Sequence, residues 1–298
     1  MLLMRTLLFV PANRENMVER AHGAAADVIV LDMEDSVPPA EKEAARQIVR
    51  KAVPSLKAAG KTVHVRVNHL ETGLTRDDVL AAVCPDLAGL AFPKAEGAQH
   101  IRDLDVIIRE AETKSGVRPG TVALIPSIES ARGVLRCEEI ALASTRLAGI
   151  SLGAYDYTAD LGVARSNDGR ELDYARRVIV HCCAAYGLQA LDTPYGDFRD
   201  EPGLIAETEY VKSIGFKGKY VIHPAQIEAV NRIFRPRDEE VENARKIVAA
   251  FDEAVERGHA SVQVEGRMVD IPVAKQAKDL IAYAEEIAQK EQAAPASA

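Results

Sequence analysis

Short apolar runs alternate with longer amphipathic segments along most of the chain. Eight runs are rich in β-branched and other apolar residues, and each ends in polar or charged positions. Runs that are apolar throughout are typical of strands buried on both faces of a parallel sheet. The eight predicted strands span residues 5–11, 28–35, 62–68, 89–95, 122–130, 148–156, 188–196 and 218–224.

Segments with helical periodicity separate these runs, among them residues 40–57, 99–114, 172–186 and 202–214. Eight successive strand–helix units predict an α/β fold, a closed (β/α)8 TIM barrel of the usual length of about 250 residues. An open doubly wound sheet is the alternative, but no GxGxxG sequence follows the first run.

The periodicity changes after the eighth unit. Residues 226–257 are predicted as the eighth helix, so the catalytic barrel domain is assigned to residues 1–257. Residues 259–270 alternate around Glu265-Gly266 as in a β-hairpin, and residues 271–289 have helical periodicity.

This pattern predicts a hairpin-plus-helix extension over residues 258–290. Residues 291–298 are predicted to be a disordered tail. A barrel needs no such extension for closure, so the sequence indicates a separate role for it.

Composition narrows the class of protein. Of the 298 residues, 47% are hydrophobic and 28% charged, as in an ordinary globular protein. A net charge of −8 argues against a nucleic-acid partner, which requires a basic surface. No apolar run approaches the roughly 20 residues of a membrane span. The four cysteines form no CxxC pair, which favours a reducing, cytoplasmic compartment.

Polar residues accumulate at the C-terminal ends of the predicted strands, where β/α barrels place their active sites. The positions are Asn13, Arg14, Asp32, Glu34, Asp35, Arg66, Asn68, Lys94, Glu129, Asp156, Asp192 and His223. This end of the predicted barrel is therefore the candidate functional rim.

Glu129 and Asp156 are the most informative pair, because they end the fifth and sixth strands. Paired strands lie roughly 4.8 Å apart, and two carboxylates at that spacing repel unless a cation or proton lies between them. Magnesium suits such an oxygen site with open water positions. The equally weighted alternative is a structural salt bridge between one of these carboxylates and an arginine.

Arg66 and Lys94 each have two interpretations. The guanidinium of Arg66 suits a carboxylate or a developing enolate oxygen, but it could equally pair with Glu34 or Asp35. Lys94 could form a Schiff base in a metal-free aldolase, provided that it is desolvated. Arg14, close to a helix N-terminus, is a reasonable phosphate ligand, whereas Arg20 alone is better explained as a solvated helix residue.

The motifs in their order resemble the citrate lyase β-subunit-like group of the HpcH/HpaI aldolase superfamily, which includes malyl-CoA and citramalyl-CoA lyases. The resemblance covers nearly the whole chain. The motifs are LFVPANR at 8–14, VIVLDMEDSV at 28–37, VRVN at 65–68, FPKAE at 92–96, PSIESARGV at 126–134, SLGAYDYTADLG at 151–162, LDTPYGDFRDEPGL at 191–204, GKYVIHPAQIEAVNRIF at 218–234 and GRMVDIPVAKQA at 266–277.

This resemblance implies a magnesium-dependent carbon–carbon lyase of short acyl-CoA thioesters. It makes Glu129 and Asp156 the magnesium ligands, and Arg66 the catalytic residue that binds the oxo-acid part. The remaining roles are a CoA-binding set and an acid/base aspartate that reaches the active site of a neighbouring subunit in a homotrimer. The CoA-binding set is Phe9, Arg14 and Arg20, and the acid/base residue is Asp270.

Two departures affect the expected substrate. Relatives often carry an acidic residue or alanine where this chain has Tyr155, and the segment 162–171 is short. The short segment favours a citryl- or citramalyl-type substrate over a malyl type. The acyl carrier is left open between CoA and an acyl-carrier protein. The alternatives are the Lys94 Schiff-base aldolase and a non-catalytic acyl-carrier-binding subunit of a lyase complex.

Overall fold

The computed structural model describes residues 2–166 and 168–293, with side chains described up to residue 292. Contacts between residues divide the described chain into two compact units, one up to residue 232 and one from residue 233 onward. No helix within the described residues is long and apolar enough to cross a membrane.

The first unit is a closed barrel of eight parallel strands in chain order, which confirms the predicted fold. Each predicted run contains one strand. The strands are β1 (Thr6–Pro11), β2 (Val28–Asp32), β3 (Thr62–Arg66), β4 (Gly89–Phe92), β5 (Ala123–Ile128), β6 (Gly149–Leu152), β7 (Gln189–Asp192) and β8 (Gly218–Val221).

Most strands end two to four residues before the predicted runs do. The end of β2 shows the cause, because the Asp32 carboxylate accepts hydrogen bonds from the backbone N–H groups of Glu34 (2.9 Å) and Ser36 (3.3 Å). These bonds fold the backbone into a turn instead of extending the ladder. Glu34, Lys94 and Glu129 accordingly lie on loops above the barrel. Asp32, Arg66 and Asp192 are the last residues of their strands, and Asp156 lies in the helix that follows β6.

Helices surround the barrel. They are α1 (Glu15–Ala21), α2 (Lys42–Ala58), α3 (Thr75–Ala82), α4 (Ala98–Lys114), α5 (Ala131–Leu135), α6 (Cys137–Ala141), α7 (Ala154–Leu161), α8 (Asp173–Tyr186), α9 (Glu201–Ile214) and α10 (Ile227–Phe234). The barrel interior is filled by apolar side chains that include Leu7, Val30, Ile125 and Leu191. A packed interior leaves only the rim of the barrel open to a ligand.

The prediction of one continuous helix over residues 226–257 is wrong. Helix α10 ends at Phe234, and α11 (Asp238–Glu256) begins four residues later. Pro236 lies in the break, where it lacks an N–H donor and disfavours helical geometry at the residue before it. The division between the two compact units lies after residue 232, near the end of α10.

The second unit contains α11, the antiparallel strands β9 (Val262–Val264) and β10 (Arg267–Val269), and α12 (Ile271–Ala293). Glu265 and Gly266 form the turn between the strands, and both have positive φ values, 48° and 81°. Phe251, Val269 and Ala274 form the core of this unit. Residues 291–293 of the predicted tail belong to α12, and residues 294–298 lie outside the described residues.

Candidate functional site

A cavity of about 320 Å³ opens at the C-terminal ends of the barrel strands. It is lined by residues from strands and loops around the barrel, including Phe9, Arg66, Glu129 and Asp156. The structure therefore brings together four of the predicted site residues. The size is within the range of pockets that bind small molecules.

Arg66 is held in place by carboxylates of the preceding strand and loop. Arg66 and Asp32 are neighbours in the register of β3 and β2, so both side chains point to the same side of the sheet. The Nε and Nη2 atoms of Arg66 donate to the two oxygens of Asp32 at 2.6 and 2.7 Å. The Nη1 atom lies 3.0 Å from Glu34. Arg66 thus forms the ion pair that was one of its two sequence interpretations, and it also lines the cavity.

Lys94 links carboxylates on opposite sides of the cavity mouth. Its Nζ atom donates to Glu34 at 2.7 Å, and it lies 3.5 Å from Asp35 and 3.8 Å from Asp156. Although burial acts in the opposite direction, the hydrogen bond and charge of Glu34 raise the pKa of Lys94 above its usual value. A Schiff-base lysine needs a lowered pKa, so this environment argues against that role.

The backbone at Lys94 is unusual, with a φ of 53°. A non-glycine residue in this left-handed region costs of order 1 kcal/mol and persists where its surroundings hold it. The ion pair with Glu34 is such a constraint. Strain of this kind is concentrated at functional sites in proteins.

Glu129 is a buried carboxyl group facing another carboxylate. Burial raises the pKa of Glu129 to about 7, and the charges of Asp156 and Glu34 act in the same direction. A hydrogen bond with Ser127 opposes the rise. A group in this state binds either a proton or a cation at neutral pH.

Gly153 makes room for the Glu129 side chain. A Cβ atom at Gly153 would lie 2.5 Å from Cγ and 2.7 Å from Cδ of Glu129, closer than real Cβ contacts allow. Its φ of −104° does not require glycine, so the requirement comes from this close approach. Sequence reasoning missed Gly153, and its only signal was a glycine within the sixth predicted run.

Asp156 lies in the first turn of α7, with about half of its side chain exposed toward solvent. Together with Glu129 it offers carboxylate oxygens to the cavity. Within residues 2–166 and 168–293, no three His, Cys, Asp or Glu side chains converge to hold a metal by themselves. The donor set instead suits magnesium, which typically takes one or two protein carboxylates and keeps several waters.

Phe9 lies in the floor of the cavity. Its ring stacks on Tyr220 with centroids 4.7 Å apart, and the guanidinium carbon of Arg66 lies 4.6 Å from its centroid. Arg14 immediately precedes α1, and Arg20 is in its last turn. Both arginines are exposed, and neither lines the cavity.

Asp270 belongs to the second unit, where it immediately precedes α12. Its carboxylate accepts a hydrogen bond from the N–H of Val273 at 3.3 Å, an N-cap interaction. The second unit thus presents the predicted acid/base residue at a helix start.

Two other predicted rim residues have structural roles. Asp192 is fully buried and pairs with Arg176 at 3.0 Å and Lys219 at 2.5 Å, because it faces the helices instead of the barrel interior. His223 accepts a hydrogen bond from the N–H of Ala225 at 3.1 Å and stacks on Phe198. Neither residue lines the cavity.

Comparison with known proteins gives several relatives over most of the chain. The protein is 40% identical over 282 residues to the citrate lyase subunit beta of Leuconostoc mesenteroides subsp. cremoris, with 95% of this chain and 93% of the relative covered. It is 35% identical over 303 residues to the L-malyl-CoA/beta-methylmalyl-CoA lyase of Cereibacter sphaeroides, with 95% of each covered.

A solved structure of similar extent is protein CitE from Mycobacterium tuberculosis in complex with magnesium, acetoacetate and coenzyme A. It superposes with a TM-score of 0.76 and 31% sequence identity, covering 95% of this chain and 98% of that one. The family model for HpcH/HpaI aldolase/citrate lyase matches residues 5–224, which include the whole barrel and its cavity. The chain therefore belongs to the HpcH/HpaI aldolase/citrate lyase family.

Proposed function

We propose that the protein is a magnesium-dependent carbon–carbon lyase that cleaves a 3-hydroxy-3-carboxyacyl thioester into an acyl thioester and a 2-oxo acid. The relatives named citrate lyase subunit beta and malyl-CoA lyase support this reaction class. The observation that carries the proposal is the pair Glu129 and Asp156, which lines one cavity with Arg66.

The chemistry of this pair fits a divalent cation. Burial and the charge of Asp156 raise the pKa of Glu129, so a cation between the two carboxylates would relieve their repulsion. The related CitE structure contains magnesium. A magnesium ion held by Glu129 and Asp156 would act as a Lewis acid on the hydroxyl and carboxylate oxygens of the substrate.

Arg66 would stabilise negative charge on the reacting oxygens. Asp32 and Glu34 hold three of its nitrogens, which fixes the direction of the N–H groups that remain for a ligand. A donor fixed before the reaction needs little reorganisation as charge develops. Because Asp32 and Glu34 also raise the pKa of Arg66, the guanidinium keeps its proton throughout.

The thioester carrier would extend from the cavity toward α1. Phe9 in the cavity floor would contact the acyl end of the carrier, and Arg14 and Arg20 on the exposed helix would bind its phosphates. The CitE complex with coenzyme A supports a CoA thioester. An acyl-carrier protein remains the alternative carrier, since several relatives are named as subunits of a citrate lyase.

Asp270 would supply or remove the proton at the enolate carbon, acting in the cavity of a second copy of the chain. Two large apolar side chains flank it, and Met268 is 70% and Ile271 67% exposed. These two side chains, on either side of Asp270, are therefore open to contact with a second copy. The functional unit would be a homo-oligomer, which we infer to be a trimer.

We also place the protein in the cytoplasm. Cys84, Cys137, Cys182 and Cys183 are all free thiols, as expected where disulfides are kept reduced.

The test is cleavage of citramalyl-, malyl- and citryl-CoA, followed by detection of the released 2-oxo acid with and without magnesium. The wild type should release a 2-oxo acid only with magnesium, and Glu129→Gln and Asp156→Asn should each lower turnover at least about 100-fold. Borohydride treatment with pyruvate is the control for the Lys94 aldolase and should trap no adduct. Metal-independent cleavage, or a trapped adduct lost in Lys94→Met, would contradict the proposal. Release from none of the three thioesters would instead favour the non-catalytic carrier-binding subunit.

A further inference from the structure

Tyr155 forms part of the wall of the cavity next to Asp156. It lies in the first turn of α7, and its side chain is 53% exposed while still lining the cavity. An exposed aromatic side chain at a cavity mouth determines the shape of that mouth only when its ring is held in place. Contacts on two sides of Tyr155 provide this restraint.

Arg165 holds the ring from the segment after α7. Its guanidinium carbon lies 5.4 Å from the ring centroid of Tyr155, a cation–π contact. Arg165 itself lies 3.4 Å from Glu171 and 3.6 Å from Glu207. Glu207 is anchored in turn by an ion pair of 2.7 Å with the fully buried Lys219. The position of the ring is thus connected to the buried network behind the barrel.

Gly196 lies against the hydroxyl end of the Tyr155 side chain. A Cβ atom at this position would overlap the hydroxyl oxygen of Tyr155, so the phenol lies directly against the loop that follows β7. In the same loop, the hydroxyl of Thr193 accepts a hydrogen bond of 3.2 Å from the N–H of Ala154, which fixes the start of α7. Tyr155 therefore closes the gap between two loops at the rim.

The cations around the cavity are already paired. Arg66 is the single cation among the described residues that line the cavity, and Asp32 and Glu34 hold it. Lys94 is bonded to Glu34. Arg165 contacts the Tyr155 ring but does not line the cavity, and the remaining N–H groups of Arg66 are assigned to the reacting oxygens. A second substrate carboxylate in the cavity would therefore meet Asp35, Glu129 and Asp156, and no further cation among the described lining residues. Repulsion of this kind discriminates against a ligand as effectively as attraction selects one.

We propose that Tyr155 is the specificity-determining residue of this site and that it restricts the substituent on the carbinol carbon to hydrogen or methyl. The inference rests on the proposed lyase function and identifies its substrate class. A carboxymethyl substituent, as in a citryl thioester, is disfavoured by charge, and an ethyl substituent by the ring itself. Arg165 is a positioning residue that acts through Tyr155.

The favoured reaction converts a 3-hydroxy-3-carboxybutanoyl thioester to an acetyl thioester and pyruvate. The C2–C3 bond breaks, and its electron pair passes to C2 as the thioester enolate. The C3 hydroxyl loses its proton and becomes the oxo group, and C2 gains a proton. No oxidant or reductant is needed.

The test compares kcat/KM for thioesters with methyl, ethyl and carboxymethyl substituents at the carbinol carbon. The wild type should prefer methyl over each of the others by about tenfold or more. Tyr155→Ala should raise the relative kcat/KM for ethyl about tenfold, and Tyr155→Arg should do the same for carboxymethyl. Tyr155→Phe, which keeps the ring, should keep the wild-type preference for methyl over ethyl. Ratios taken within one variant do not depend on the fraction of folded protein.

The role of Arg165 in holding the Tyr155 ring is tested by a matched pair of variants in the same segment. Arg165→Gln should shift the methyl-to-ethyl ratio in the same direction as Tyr155→Ala, whereas Arg170→Gln, at an exposed position, should leave it unchanged. Calorimetric binding of pyruvate and oxaloacetate to the magnesium-loaded protein provides a readout without turnover, and pyruvate should bind more tightly. A wild-type preference for carboxymethyl, or an unchanged ethyl ratio in Tyr155→Ala, would overturn the inference while leaving the lyase function intact. Cleavage of none of the thioesters would refute the proposed function itself.

Discussion

The buried carboxyl of Glu129 makes the stability of the metal-free protein depend on pH. Burial raises its pKa from 4.5 to about 7. Between these values the folded chain holds a proton that the unfolded chain releases, so the stability falls as the pH rises through this window. Glu129→Gln removes the effect. We expect its stability relative to wild type to increase by about 2–3 kcal/mol between pH 4 and pH 8.

Urea unfolding in the presence of EDTA measures this difference at both pH values. With saturating magnesium at pH 8, the wild type should instead be more stable than Glu129→Gln, because a ligand bound only by the folded wild type stabilises it. A difference between variant and wild type that stays constant from pH 4 to pH 8 would show that Glu129 ionises normally.

Gly153 is expected to control magnesium binding through the position of Glu129. A methyl group there would overlap the Glu129 side chain, so Gly153→Ala should displace the carboxylate and weaken magnesium binding about tenfold or more. Calorimetric titration with magnesium measures this effect. Gly23→Ala is the matched control, because its Cβ would find only the Arg20 carbonyl oxygen at 3.8 Å. Equal magnesium affinities in the two variants would contradict the assigned role of Gly153.

At the scale of elements, a buried ionic network joins the last two barrel strands to the helices outside them. Asp192 and Lys219 are neighbours in the register of β7 and β8, and Arg176 of α8 pairs with Asp192. Lys219→Met would leave a buried carboxylate without this partner, at an expected cost of about 3–5 kcal/mol. Urea unfolding tests this, with the exposed Lys217→Met as control, expected to change stability by less than about 0.5 kcal/mol. A similar small change in both variants would show that Arg176 alone neutralises Asp192.

The same elements show what the sequence could predict about the fold. All eight strands lie within predicted runs, because a strand buried on both faces must be apolar throughout. Asp192 was predicted at the rim, but its neighbour in register is Lys219 and both face the helices. Successive residues of a strand point to opposite sides, so an error of one residue in register reverses such a prediction.

The sequence predicted the candidate site in part, as it did the fold. Glu129, Asp156 and Arg66 line one cavity because parallel strands present their ends at one side of the barrel. The bond between Lys94 and Glu34 was not predictable, since it depends on a loop backbone with positive φ. Gly153 was missed because the need for glycine arises only from the side chain packed against it.

At the scale of the whole molecule, the assignment of Asp270 to a second copy has a direct consequence. Asp270→Asn should lower turnover about 100-fold or more while leaving magnesium binding unchanged, because Glu129 and Asp156 are intact. Glu129→Gln should also be inactive, because it loses a magnesium ligand while its Asp270 is intact. If each active site combines one chain's barrel with another chain's Asp270, the two inactive variants complement each other.

Mixing the two variants in equal amounts, with denaturation and refolding to exchange subunits, should therefore restore activity. A site is competent when its barrel comes from the Asp270→Asn chain and its aspartate from the Glu129→Gln chain. Random assembly makes roughly one site in four competent, so the mixture should recover about a quarter of wild-type turnover. Wild type taken through the same refolding is the reference, and each variant refolded alone is the control. If Asp270 acted on the barrel of its own chain, every site would keep one defect and the mixture would stay inactive.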